Sequence, residues 1–252
     1  MHITKAIILF LLAGLIASSV GCAEDRAIVK KRAKAMEDIG IAAARKGNMR
    51  VALKNLSEAA KLDPKNADIQ FDLAMVYRDL AEYGKAEVHF KKALALKPDF
   101  ADAWNNLGTL YLLTKAWDKA IVSFQKALAI DTYRTPHFAF NNLGLAYYNK
   151  RDYQRAVDSF LEALKNYPSY SVCITNMGLA YEGLKKYEKA IESYNMAIQF
   201  DPKDPTSHFH LGRLYYRLKD FKKAKYELQR AIELDPRGPF ADGARAILKK
   251  IP

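Results

Sequence analysis

A strict 34-residue period is the feature that most constrains the fold of this chain. The segments that end in KLDPKN, ALKPDF, AIDTYR, KNYPSY, QFDPKD and ELDPRG align with one another. Such a period indicates a stack of small structural units, because each unit can bury its apolar face only against its neighbours. The six predicted units are residues 33–66, 67–100, 101–134, 137–170, 171–204 and 205–238.

Small and large side chains recur at fixed positions of each unit. Small residues at the eighth and twentieth positions allow two antiparallel helices to approach closely, and large residues at the eleventh, seventeenth and twenty-fourth positions fill the space between helices. A proline at the thirty-second position of five units stops the second helix. The eighth positions are Gly40, Ala74, Gly108, Gly144, Gly178 and Gly212, and the twenty-fourth are Leu56, Phe90, Phe124, Phe160, Tyr194 and Leu228.

This pattern resembles the tetratricopeptide-repeat family, and the resemblance covers most of the chain. It implies an all-α fold, a right-handed superhelical solenoid of six tetratricopeptide repeats (residues 33–238). Such a stack needs a polar last layer, so residues 239–252 are predicted to form a C-terminal capping helix. The predicted apolar face of this helix consists of Phe240, Ala244, Ile247, Leu248 and Ile251.

The N-terminal segment has a short basic start, the apolar run AIILFLLAGLIA and small residues before Cys22. This layout predicts a secretory signal peptide over residues 1–21, with an uncleaved N-terminal anchor as the alternative. The letters SVGC resemble a bacterial lipobox, which implies that Cys22 carries a lipid and that residues 22–32 form a lipid-anchored leader. Ala23 then favours the outer membrane, with the protein facing the periplasm.

Cysteine content and charge limit the remaining classes. Cys173 has no intramolecular partner once Cys22 is lipidated, so we expect a buried, unreactive thiol. The net charge of +12 leaves two interpretations open. It is either a solvated basic surface on lysine-rich helices or a means of attracting anionic lipid headgroups, acidic cell-wall polymers or an acidic partner. The predicted location argues against nucleic acid as a partner.

No enzyme motif occurs in the sequence, which lacks an HExxH pattern, a phosphate-binding glycine loop and a GxSxG elbow. His208 and His210 are two residues apart, so they project from different faces of a helix and cannot share a metal. We expect both histidines on the surface or in a groove. The sequence therefore predicts a non-enzymatic protein without metal, cofactor or small-molecule substrate.

A partner-binding groove is predicted along the first helices of the repeats. In the family, the second, fifth, ninth, twelfth and thirteenth positions face this groove. The first two repeats place charged residues there, whereas the later repeats place apolar side chains and asparagines, which suits a helix or an extended apolar peptide. The alternatives are that the apolar residues pack on the adjacent repeat and that the asparagines bond the neighbouring backbone. The predicted groove residues are Asn105, Leu112, Leu113, Phe138, Asn141, Leu145, Tyr148, Asn176, Leu179, Phe209 and Tyr216.

The stretch TYRTPHFAFNNLG interrupts the period by two residues after the third repeat. Asp131 is expected to end the preceding helix, and Pro136 to replace the missing stop signal at Thr132. The overall layout and this junction resemble the type IV pilus biogenesis and stability lipoproteins of the PilF/PilW family. That resemblance implies a pilotin, which binds the secretin subunit and assists its localisation and assembly in the outer membrane. The alternative is an envelope adaptor lipoprotein that recruits cell-wall enzymes.

Overall fold

The computed structural model describes residues 26–252, which form thirteen helices and no strand. The predicted all-α repeat fold is confirmed, whereas the predictions for the signal peptide and for Cys22 fall outside the described residues. The helices are α1 (residues 26–45), α2 (Met49–Leu62), α3 (Ala67–Asp79), α4 (Tyr83–Leu96), α5 (Ala101–Leu113), α6 (Trp117–Leu128), α7 (Pro136–Asn149), α8 (Tyr153–Asn166), α9 (Ser171–Gly183), α10 (Tyr187–Phe200), α11 (Pro205–Arg217), α12 (Phe221–Leu234) and α13 (Ala241–Leu248).

Two compact units make up the structure, one that ends at Asn106 and one that begins at Leu107. In the first unit, α3 packs against α2 and α4. In the second unit, α7 and α8, α9 and α10, and α11 and α12 form antiparallel pairs, and each pair packs on the next. Residues 26–32, assigned to the leader by the sequence, are helical and continuous with α1.

The turn between the two helices of every repeat uses the same backbone conformation. The fifteenth residue has a positive φ in all six repeats, and only the first repeat places a glycine there. A left-handed residue reverses the chain within a short turn but disfavours a Cβ atom. These residues are Gly47 (φ 75°), Ala81 (58°), Lys115 (59°), Arg151 (61°), Lys185 (59°) and Lys219 (64°).

The predicted close approach of the paired helices is confirmed. A Cβ atom added at Gly108 would lie 2.5 Å from the Phe124 ring, and one added at Gly178 would lie 2.5 Å from the Tyr194 ring. Phe124 and Tyr194 are fully buried. The eighth position is therefore small because the large residue at the twenty-fourth position of the same repeat fills the space in front of it.

Basic residues stack on tyrosine rings at corresponding places in five repeats. A lysine or arginine at the nineteenth position lies over the tyrosine at the eleventh, an arrangement worth about 0.5–1 kcal/mol at exposed sites. Part of the positive charge therefore has a structural role. The pairs and their distances to the ring centroid are Lys85–Tyr77 (5.3 Å), Lys119–Tyr111 (5.5 Å), Arg155–Tyr147 (4.6 Å), Lys189–Tyr181 (5.8 Å) and Lys223–Tyr215 (5.1 Å).

The junction after the third repeat differs from its prediction. α6 ends at Leu128 rather than at Asp131, and Pro136 is the first residue of α7 rather than a stop signal for α6. Proline suits this place because its fixed φ matches the helix and the first turn needs no backbone N–H donor. The insertion therefore shortens α6 and begins α7.

The last helix covers the end of the second unit. α13 packs against α11 and α12, with Ala241 and Ala244 buried and Arg245 exposed. Phe240, just before α13, stacks on Phe209 of α11 at a centroid distance of 4.9 Å. Along residues 26–252, none of the helices is both long enough and apolar enough for a membrane crossing.

Candidate partner-binding surface

Three large apolar side chains on the first helices of successive repeats are exposed in the second unit. Leu113 of α5 and Val172 of α9 are each 53% exposed, and Phe138 of α7 is 44% exposed. Phe138 and Val172 occupy the second position of the fourth and fifth repeats. An exposed apolar side chain on a folded domain gains free energy when a partner covers it, at about 25 cal/mol per Å². We call these three residues the apolar surface.

Other predicted groove residues lie deeper in the same unit. Leu112, Leu145, Tyr148 and Tyr216 are half-buried. The Tyr148 ring lies 5.6 Å from that of Tyr153, and burial raises the pKa of its hydroxyl. These side chains are partly accessible apolar groups on the first helices of the third, fourth and sixth repeats.

Packing against the next layer of the stack accounts for two further residues of the predicted groove. Leu179 packs against the buried cluster that includes Tyr194 and Leu211, and Phe209 is covered by Phe240. For Leu179 and Phe209, the structure shows the alternative in which the apolar residue packs against the next layer. Both side chains therefore serve packing between helices rather than an exposed surface.

The asparagines form a side-chain network between helices. Asn176 Nδ2 donates to Asn141 Oδ1 at 3.1 Å, and Asn142 Nδ2 lies 3.5 Å from Thr109 Oγ1. Asn141 is only 4% exposed, so its amide is held between α7 and α9. The predicted groove requires this amide to be presented to a partner, and the structure does not present it. Asn176 is half-buried in the same network, and Asn105 is half-buried in the first unit.

A polar cluster that the sequence prediction missed lies between α9, α10 and α11. Glu182 Oε1 accepts hydrogen bonds from the Tyr194 hydroxyl at 2.7 Å and from Arg213 Nη2 at 2.9 Å. Burial, followed by the charge of Glu182, raises the pKa of Tyr194. The signal was present in the sequence, because Glu182 and Arg213 place opposite charges at groove positions of adjacent repeats, where the other members are mostly apolar.

The two histidines of α11 are buried, which corrects their predicted surface or groove location. His208 Nδ1 lies 2.6 Å from Glu227 Oε2. His210 packs against the rings of Tyr194 and Phe240, and burial lowers its pKa to about 4. Neither ring is available as a surface ligand, and residues 26–252 contain no group of three or more His, Cys, Asp or Glu residues arranged to hold a metal ion.

Aromatic side chains gather immediately after the widened junction. Phe138 lies 4.2 Å from the His137 ring and 5.8 Å from the Tyr170 ring, and Tyr167 lies 5.4 Å from His137. Tyr167 is itself exposed. The junction thus leads directly into an aromatic cluster that holds Phe138 in place at the apolar surface.

Paired helices with apolar side chains exposed on their first members define a repeat scaffold for protein–protein interaction. Models of the TPR repeat match residues 74–115 and 178–219, models of the tetratricopeptide repeat match residues 99–169 and 205–237, and together they span more than half of the chain. The chain belongs to the tetratricopeptide-repeat family. None of these models describes a catalytic family.

Several solved structures share this fold. PilF of Pseudomonas aeruginosa is 22% identical, with a TM-score of 0.74 over 88% of this chain and 99% of PilF. PilW, a widely conserved type IV pilus biogenesis factor, is 20% identical, with a TM-score of 0.78 over 84% of this chain and 98% of PilW. YrrB, a TPR protein with an unusual peptide-binding site, is 19% identical, with a TM-score of 0.57 over 76% of this chain and 97% of YrrB. No curated protein matches the sequence.

Proposed function

We propose that this protein is a pilotin-like lipoprotein that binds a secretin subunit and assists its localisation and assembly in type IV pilus biogenesis. The observation that carries the proposal is the apolar surface, Leu113, Phe138 and Val172, on a scaffold built for protein–protein interaction. Its assignment to pilus biogenesis is supported by the structural likeness to PilF and PilW over nearly the whole of those chains. The widened junction beside Phe138 is the sequence feature most similar to that family.

The apolar surface suits a partner segment with its own apolar face. Leu113 and Val172 are each 53% exposed, so covering the exposed part by a partner supplies binding free energy without disturbing the fold. Phe138 is held by the rings of His137 and Tyr170, so little side-chain entropy is lost when a partner packs against it. An amphipathic helix or an extended apolar segment of a secretin subunit meets these requirements.

The proposed place of action is the periplasmic face of the outer membrane. In this proposal Cys22 carries the lipid, and several acyl chains hold the protein stably where one chain would hold it only marginally. The scaffold then brings its bound partner to the membrane in which the partner assembles.

The test compares two aliphatic residues of similar exposure. Leu113 on α5 is 53% exposed and Val122 on α6 is 50% exposed, but only Leu113 belongs to the apolar surface. We expect Leu113→Glu to reduce heat-resistant secretin multimers on a denaturing gel to the level of the gene deletion. Val122→Glu should leave them unchanged, with normal helical content in both variants.

Unchanged secretin multimers in the deletion strain would contradict the pilotin proposal. Co-purification of cell-wall hydrolases or synthases through Leu113, with normal multimers, would favour the envelope adaptor instead. The two variants therefore test whether the apolar surface binds a partner. The deletion strain and the co-purification test which partner it is.

A further inference from the structure

A pocket of about 250 Å³ lies in the first unit, between α1 and α3. Ile41, Phe71 and Met75 provide apolar walls, and the carboxyl groups of Asp72 and Asp79 lie beside them. We call this cavity the first-unit pocket. It is separate in the chain from the apolar surface.

A third carboxyl group, that of Glu37, is buried and interacts with Asp72. Glu37 of α1 is 2% exposed, and its carboxyl group interacts with that of Asp72 of α3 through its charge and a hydrogen bond. Burial of Asp72, followed by the charge of Glu37, raises the pKa of the Asp72 carboxyl to about 7. Two carboxyl groups in one partly buried place cannot both ionise without cost, so Asp72 holds its proton up to a pH of about 7.

Cations within the protein do little to relieve this arrangement. Among the groups of the described chain that act most strongly on Asp72, the single cation is Lys34, and its effect is smaller than that of Asp68 or Glu37. Lys34 Nζ is already 3.0 Å from Glu37 Oε2 and 3.2 Å from Asp38 Oδ1. The carboxylate that Asp72 can form at the pocket is therefore available to pair with a cation of a bound ligand.

Two further charged groups line the pocket. Asp79 Oδ1 accepts hydrogen bonds from Arg78 at 2.8 and 3.0 Å, so its charge is partly neutralised. Arg45 is exposed at the rim. Arg45 opposes an incoming cation, and its removal should therefore strengthen binding of one.

We propose that the first-unit pocket binds a lysine or arginine side chain presented by a segment of a partner protein. The apolar walls formed by Ile41, Phe71 and Met75 receive the methylene stem, and Asp72 pairs with the charged head. The charge complementarity is local. The protein as a whole carries a charge of +12 and repels basic ligands at long range, so binding of a basic segment has to come from a site such as this one.

Binding is coupled to a proton. Where Asp72 is protonated, its carboxyl O–H bond breaks, the proton passes to solvent, and the resulting carboxylate forms an ion pair with the alkylammonium ion. A nearby positive charge stabilises the carboxylate, so the pKa of Asp72 falls from about 7 when the pocket is filled. Affinity for the basic side chain therefore rises as the pH increases through 7. At lower pH the affinity is weaker, because Asp72 in the free protein is protonated and must release its proton when the ligand binds.

The test is calorimetric titration of the full chain with two blocked synthetic peptides, one of leucine and lysine and a matched one with glutamine in place of lysine. We expect saturable binding of the lysine peptide alone, weaker by about tenfold at pH 5.5 than at pH 8. Proton release should appear as a dependence of the measured heat on the ionisation enthalpy of the buffer.

Variants assign the effect to the pocket. Asp72→Asn should lower affinity at pH 8 to the level at pH 5.5 and remove the pH dependence, while Arg45→Gln should raise affinity. Asp131→Asn, which removes the same charge from an exposed loop of the second unit, should change neither. Circular dichroism confirms that each variant is folded.

Three results would overturn the proposal: no saturable binding of the lysine peptide, equal binding of the glutamine peptide, or an unchanged pH profile in Asp72→Asn. The outcome is independent of the pilotin proposal. Leu113→Glu should leave lysine-peptide binding intact even where it abolishes secretin assembly, and Asp72→Asn tests the pocket whatever the secretin result is.

Discussion

Gly144 of α7 lies directly against the ring of Phe160 in α8, so that a Cβ atom at Gly144 would meet Phe160 Cε1 at 2.5 Å. Phe160 is fully buried, and its ring occupies the volume that a methyl group at Gly144 would need. The same relationship recurs between Gly108 and Phe124. Each of these repeats is therefore held together by one small and one large residue that face each other across its two helices.

Gly144→Ala should destabilise the protein by about 1–2 kcal/mol, because overpacking forces the ring or the helix to move. Ala74, buried at the corresponding position of the second repeat, shows that the fold can be built around a methyl group when its neighbours are arranged for one. Gly84→Ala is the matched control, since nothing lies within 4 Å of its added Cβ. We expect it to be neutral or stabilising by up to about 1 kcal/mol in urea unfolding. Equal effects of the two changes would refute the close-packing explanation.

Ala81→Gly should stabilise the protein by up to about 1 kcal/mol. Ala81 has a φ of 58°, where an L side chain is disfavoured and glycine is not. Gly47→Ala, at the corresponding position of the first repeat with a φ of 75°, should destabilise by a similar amount. Thermal unfolding of both variants checks the pair, and shifts in the same direction would contradict it.

Cys173 should resist thiol reagents in the folded protein. Its side chain is fully buried, its Sγ lies 3.5 Å from the carbonyl oxygen of Phe160, and burial raises the pKa of the thiol to about 12. The thiolate fraction at pH 8 is then lower by roughly three orders of magnitude than for a free cysteine. Labelling of a Cys22→Ser variant should be slow in buffer and fast in urea. Rapid labelling without denaturant would show that the site is open.

Asp72→Asn should be more stable than the wild type at pH 8, and its advantage should shrink at pH 5. The folded pKa of Asp72, about 7, lies above its ordinary value of 3.8, so the folded wild type binds the proton more tightly than the unfolded chain. That contribution to stability is full below pH 3.8 and is lost as pH rises through 7. After allowance for partial exposure, we expect the advantage to change by the order of 1 kcal/mol between the two pH values. An advantage that does not vary with pH would contradict the raised pKa of Asp72 in the folded protein.

The repeat architecture was predictable because it depends on residues that recur with a fixed period. The facing pairs such as Gly144 and Phe160 follow from sterics at the eighth and twenty-fourth positions, and the burial of Cys173 follows from its place on a packed helix. These features need no knowledge of the neighbouring repeats beyond their register.

The contacts between repeats were harder to predict, because they depend on which side chains meet across the stack. Asn141 and Leu179 have groove-facing registers, yet the first is enclosed by Asn176 and the second packs on the cluster around Tyr194. The sequence predicts a surface or groove location for His210, but Phe240 covers it from beyond the repeats. Proline has a fixed φ and no backbone N–H, so it fits both just after the end of one helix and at the first position of the next. The sequence alone therefore does not decide the role of Pro136.

Site-specific photocrosslinking in intact cells tests the central claim most directly. A photoreactive amino acid at Leu113 probes the apolar surface, and the same amino acid at Val122 is the control, since both side chains are about equally exposed on adjacent helices of their repeat. The account predicts a crosslink to the secretin subunit from position 113 and none from position 122. Crosslinks to the secretin from both positions alike, or from neither, would contradict it.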